Sequence, residues 1–135
     1  MTASAEKVIY HLLSNASGVT NLVSTRIYPA VLSQGAAFPA VSYFRVSGNR
    51  HWLMGSDAGI VHQRMQVSSW SQGVENYLQA DQVAQEVRKA LQRQRGTING
   101  VEVIDILQDG DGAIIFEDEI EVYQAISDYQ VIYRE

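Results

Sequence analysis

Apolar residues in this chain recur first at three- and four-residue steps and later at alternate positions. Val8, Ile9, Leu12 and Leu13 share one face of a predicted first helix, with Ser4 as N-cap, Glu6 in the first turn and Ser14-Asn15 as its end. Ser17 is expected to cap a short second turn carrying Val19, Leu22 and Val23. Arg26, Ile27 and Tyr28 then read as extended, Pro29 stops them, and residues 30–38 read as a loop. Two strands rich in Val, Ile, Tyr, Phe and Trp are predicted over residues 40–50 and 60–70. Tyr77, Ala80, Ala84, Val87 and Leu91 carry the clearest helical spacing, over residues 74–94, with Gly96 placed as a left-handed C-terminal cap. At ~1.5 Å per residue that helix would be about 30 Å long.

Asn99-Gly100, between Thr97-Ile98 and Val101-Glu102-Val103, is a tight hairpin signal. A strand over residues 101–108, an acidic loop over 109–119 and a last strand over 120–133 complete the chain. The order predicts a single α+β domain over residues 1–135, a mainly antiparallel sheet with the long helix and the N-terminal helix packed on one face. A sheet with one wet face should alternate apolar and polar residues cleanly. The last strand does not, because Tyr123, Ala125, Tyr129, Val131 and Tyr133 fall on one parity while Ile126 and Ile132 fall on the other. Val103 and Leu107 are likewise opposed by Ile104 and Ile106. Something besides the helices is therefore expected over the second face, either a neighbouring copy or a loop folded back.

Candidate chemistry is sparse. His11, His51 and His62 form no His-x-x-x-His pair and stand beside no carboxylate at a metal-ligand spacing. No Gly-x-Ser-x-Gly elbow, Gly-x-Gly-x-x-Gly or Walker-type Gly-Lys-Ser/Thr occurs. Asp109-Gly110-Asp111-Gly112 superficially resembles a calcium loop, but Ala113, Ile114 and Ile120 stand where an EF-hand needs an oxygen ligand, a glycine and a bidentate glutamate. Glu117, Asp118 and Glu119 point in diverging directions as chain neighbours, so an exposed acidic patch is expected rather than an acid/base pair. Arg88, Lys89, Arg93 and Arg95 cluster near a predicted helix C-terminus, where cations also favour the helix dipole. The most suggestive local feature is the connection over residues 48–59. It carries Arg50, His51, Trp52, Leu53 and Met54 between glycines, where a hairpin tip should be polar. These side chains either extend the strand onto its own core or form an arm that reaches a neighbour.

Composition narrows the classes. The hydrophobic fraction of 46% with 19% charged residues is that of an ordinary globular protein. A formal charge of −5 argues against nucleic-acid binding, which needs clustered cations. The absence of cysteine removes disulfides and thiolate chemistry and fits a reducing cytoplasm. No apolar run approaches the ~20 residues of a membrane span, and the N-terminus lacks the layout of a secretory signal.

Four segments carry a family likeness in a fixed order. They are Arg26-Ile27-Tyr28-Pro29, then Pro39-Ala40-Val41-Ser42-Tyr43, then Met65-Gln66-Val67-Ser68-Ser69-Trp70 running into a helix, and the tyrosine-rich stretch from Tyr123 to Glu135. In this order and spacing the chain resembles the tail-completion, or tail-terminator, proteins of long-tailed bacteriophages and phage-derived gene-transfer particles. The resemblance implies a small structural domain whose copies form a ring, usually a hexamer, at the head-proximal end of the tail tube. It implies assembly in the host cytoplasm, residence in the virion, and as partners the chain itself, the tail tube protein and a head-completion or connector protein. It supplies no catalytic residue, cofactor or metal ligand. On that reading Arg50, His51, Trp52, Leu53, Met54, Ile126 and Ile132 are the candidate contacts with a neighbour. Asp109, Asp111, Glu117, Asp118 and Glu119 are then the candidate acidic docking or lumen surface. The alternative is a monomeric or dimeric protein-binding module outside any virion.

Overall fold

A computed structural model describes residues 4–32 and 35–135 of the chain. The first helix, α1 (Ala5–Ser14), begins where the hydroxyl of Ser4 accepts the backbone N–H of Lys7 at 3.4 Å. It buries Ala5, Val8, Ile9 and Leu13. The next helix, α2 (Ser17–Val23), takes Ala16 as its cap position. Ser17 is therefore the first helical residue and not the cap, and no side-chain oxygen closes this short helix. Strand β1 (Ile27–Pro29) follows.

Strands β2 (Ala40–Leu53) and β3 (Ser56–Gln72) are longer than the sequence pattern suggests. Pairing continues through Asn49 with His62 and Arg50 with Val61 to Leu53 with Ser56, so only Met54 and Gly55 form the turn. The expected connection over residues 48–59 is thus a two-stranded ribbon. Gly48 and Gly59, the bounds of that connection, lie inside paired strands, and the reversal uses the positive φ of Gly55, +82°.

A 3-10 turn at Val74–Asn76 leads into α3 (Tyr77–Leu91), about 22 Å long at ~1.5 Å per residue. Its buried stripe is Ala80, Val83, Val87 and Leu91, so Val83 joins the stripe while Tyr77 stays exposed. The left-handed residue that ends the helix segment is Arg93 (φ 61°), whose N–H donates to the carbonyl of Ile106 at 2.7 Å. Gly96 instead opens β4 (Gly96–Ile98). Asn99 and Gly100 make the expected turn with φ of 48° and 79°.

Strand β5 (Val101–Glu117) runs straight through the expected acidic loop, and β6 (Val122–Arg134) returns after a turn over residues 118–121. The Asp-Gly-Asp-Gly stretch makes irregularities within the strand instead of a loop. The register shifts between Gln108 and Gly110 and again between Asp111 and Ile114. A Cβ on Gly112 would meet the carbonyl oxygen of Ile126 at 2.6 Å, so glycine lets β5 press onto β6 there.

The six strands form a mixed, half-barrel sheet in the order β1-β2-β3-β6-β5-β4. β1 lies parallel to β2, and the other neighbouring pairs are antiparallel. The fold is α+β. One core cluster joins Val8, Ile9 and Leu13 of α1, Val19 and Val23 of α2, and Val83, Val87 and Leu91 of α3. To these it adds Val61, Met65 and Val67 of β3 and Tyr129, Val131 and Tyr133 of β6. The members from β3 and β6 are all odd-numbered, as a period of two requires for one face. In β5 the shift between Val103 and Asp105 returns Ile106 to the face of Val103, so both are buried. The mixed parity of that strand is a bulge and not a second apolar face.

Candidate docking surfaces

Among the described residues no group of three or more His, Cys, Asp or Glu side chains is placed to hold a metal ion. His51 and His62, on the two strands of the ribbon, meet across it with ring centres 4.5 Å apart, while His11 is half-buried on α1. Several polar contacts are ion pairs across elements. Arg45 donates two hydrogen bonds of 2.8 Å to Glu6, Arg50 donates to Glu135 at 3.1 and 3.3 Å, and Arg64 donates to Asp128. These carboxylate contacts raise all three arginine pKa values. Burial raises the phenolic pKa of Tyr43 and of Tyr133.

The even-numbered parity of β3 and β6 stays outside the core cluster. There Ile126 and Ile132 are half-buried beside Phe44 (39% exposed), Trp70 and His62. Polar pairs interrupt the apolar residues. The indole N–H of Trp70 donates to the Ser42 hydroxyl at 2.9 Å, Gln124 donates to Ser68 at 2.9 Å, and Arg64 reaches Asp128 and Asp109. This face is therefore a mixed surface, neither a dry seam nor a fully solvated one.

The two ends of the sheet differ. At the ribbon end Arg50 and His51 are exposed and Met54 is fully exposed. The side chains of Trp52 and Leu53, and that of Asp111 in β5, lie outside the described residues. The opposite end is where β3 stops, the turn over residues 118–121 reverses the chain and α3 begins. There Val31 is 76% exposed, Val74 58%, Leu78 74% and Ile120 58%. The N–H of Gly73 donates to the carbonyl of Glu121 at 2.8 Å, and the Tyr123 hydroxyl donates to the carbonyl of Val74 at 2.9 Å, tying the three segments together. Beside them Leu32, Phe38, Ile120 and Val122 line an apolar hollow of about 290 Å³. Sequence reasoning missed this apolar end, because Val31, Val74, Leu78 and Ile120 are scattered singly and only the fold gathers them. One cue was present: Leu78 falls off the helical stripe of Ala80, Val87 and Leu91.

The five expected acidic residues are not one patch. Asp109 faces Arg64 and Gln130 on the sheet, whereas Glu117 ends β5 and Asp118 and Glu119 occupy the turn. Along β6 the partners of Gln108 and Glu117, Tyr129 and Val122, are about 23 Å apart at ~3.3 Å per residue.

Comparison with known proteins places this architecture. The family described as Tail completion protein gp17 matches residues 7–134. Among solved structures, a chain from the virion of a native gene transfer agent (GTA) particle superposes with a TM-score of 0.76 at 14% sequence identity, covering 98% of this chain and 96% of that one. A second solved structure has a TM-score of 0.51 at 12% identity and covers 87% of each chain. At these identities the structures share the fold. No curated protein matches the sequence.

Proposed function

The chain belongs to the Tail completion protein gp17 family, structural proteins of the phage tail, and on that premise we propose that its copies close into a ring that caps the head-proximal end of the tail tube. The ring, a hexamer in this reading, stops tube polymerisation and offers its other side to a head-completion or connector protein. The protein is made in the host cytoplasm and ends in the virion. The family match over residues 7–134 carries the reading, because it covers most of the first helix, the other two helices and the whole sheet. Two features of the fold support it. Val74, Leu78 and Ile120 expose large apolar side chains at the end where α3 begins, and such patches on a small domain mark protein contacts. The long helix and the N-terminal helix contribute to one core cluster that Ile126 and Ile132 do not join, which supports a sheet face open to other contacts.

Within this reading Arg50, His51, Trp52, Leu53 and Met54 form an arm that contacts an adjoining copy or the tube. Asp109 and Asp111 on the sheet, with Glu117, Asp118 and Glu119 at its end, form an acidic docking or lumen surface, and where it faces the lumen its charge keeps threading DNA from adhering. The test is negative-stain microscopy of particles made without this protein. Overlong or headless tails are the expected result, and normal particles would defeat the reading.

A further inference from the structure

Both long outer strands of the sheet are only half paired. β1 covers β2 at Val41, Ser42 and Tyr43, and among the described residues β2 from 44 to 53 has β3 as its only strand neighbour. β4 covers β5 at Val101, Glu102 and Val103. The loop after α3 covers a little more, since Arg93 donates to the carbonyl of Ile106 and the side chain of Gln92 accepts the N–H of Gln108 at 2.7 Å. Beyond Gln108, β5 from 109 to 117 has β6 alone among the described strands. Instead of a helix over this edge there is an open cleft of about 460 Å³ between α3, at Asp81, Gln85 and Arg88, and β5, at Gly110, Gly112 and Ile114. Exposed strand edges are templates for pairing with another chain.

The two edges carry opposite charge. Residues 44–53 hold Arg45 and Arg50 and no acid, and residues 109–117 hold Asp109, Asp111 and Glu117 and no base. Arg45 and Arg50 already bond Glu6 and Glu135, but the arginine side chains remain 47% and 59% exposed. Exposed pairs of this kind contribute little to stability and can be re-shared. Like edges therefore repel and unlike edges attract. That disfavours a two-fold dimer through either strand and selects a heterologous contact, which closes into a ring at the right rotation.

From these observations we infer that the β2 edge of each copy, around residues 44–50, adds antiparallel to the β5 edge of the next, around residues 109–115. This deepens the proposed ring and rests on that reading. Rotation about a ring axis preserves strand direction, and β2 and β5 run in opposite directions because β3 and β6 lie between them in alternation. The edges are also diagonally placed. Arg45, Met65, Tyr129 and Gln108 form one row across the sheet, with the free part of β2 above it and that of β5 below. Overlap of about six residues requires an offset of about five residues, ~16 Å, across four strands spanning ~19 Å. The resulting strand tilt is about 40°, inside the ~35–45° of closed sheets. The short strands β1 and β4 then occupy the halves of each edge that the neighbour leaves unused.

The absence of native cysteine makes this testable in the full chain. Ala113→Cys is combined in turn with Val46→Cys, Ser47→Cys and Asn49→Cys to allow for register. Tubes carrying each variant are treated with a short bis-maleimide, after circular dichroism has confirmed an unchanged thermal transition. At least one pair is expected to give a ladder of cross-linked copies ending at the ring, with none from the single-cysteine variants. Rings visible on tube ends with no ladder from any pair would overturn edge pairing and leave the ring intact. Cross-links to the tube protein alone would overturn the choice of occupant. Tubes with no ring at all would remove the proposed function and this inference together.

Discussion

At the residue scale the core is written around tyrosine. Tyr129 and Tyr133 are the largest fully buried side chains, and Tyr43 is 6% exposed. Burial disfavours the phenolate of Tyr43 and Tyr133, so their folded pKa values lie above the ordinary ~10. The unfolded chain then loses these protons first as pH rises. The resulting stability is fully present below about pH 10 and is lost as pH climbs through the raised values. The thermal midpoint should fall as pH rises above about 10, and it should fall less steeply in Tyr43→Phe/Tyr133→Phe. Identical slopes in scanning calorimetry would show that these phenols do not set the alkaline limit. This much was legible, since the odd-numbered tyrosines of the last strand already stood on one parity. What one residue does out of pattern was not. Arg93 takes the left-handed turn that Gly96 was expected to take, because its N–H has a partner in the carbonyl of Ile106 on a strand distant in sequence.

At the scale of elements, periodicity located each helix and each long strand, and it failed wherever a strand changes register. The ribbon of β2 and β3 and the bulges of β5 use Gly48, Gly59, Gly110 and Gly112 inside strands, where a local reading takes glycine for an end. Whether Asp109-Gly110-Asp111-Gly112 becomes a loop or a bulged strand depends on β6 lying alongside, and no local pattern encodes that. Helix α3 shows the opposite case, because its stripe alone decides which side faces the sheet. Leu91 is fully buried in the core cluster, while Leu78 is 74% exposed on the same helix. Leu91→Ala should therefore cost about 2–5 kcal/mol of unfolding free energy. Leu78→Ala should stay within about 0.5 kcal/mol. Equal losses in urea titration would mean that Leu78 packs against the fold and is not a surface residue.

At the scale of the whole molecule, the sheet has an apolar end that serves no internal purpose. Val31, Val74, Leu78 and Ile120 are all more than half exposed, yet hydrogen bonds from Gly73 and Tyr123 hold the segments of Val74 and Ile120 in fixed relation. A domain gains nothing in stability from solvated leucine and isoleucine, so a rigid apolar end is best explained by a partner that covers it. In the ring reading the lateral contacts fall on the strand edges, and the two ends of the sheet are left for tube and head. That separation yields a prediction distinct from the cross-linking result. Leu78→Lys/Ile120→Lys adds charge only at exposed positions, so the isolated chain should keep its thermal transition. Particles carrying it should show tails that fail at one junction, either not capped or not joined to heads, while ring contacts between copies persist. Normal infectious particles from this variant would show that the apolar end faces solvent in the virion, and the ring would then have to engage its neighbours through the β2–β3 ribbon.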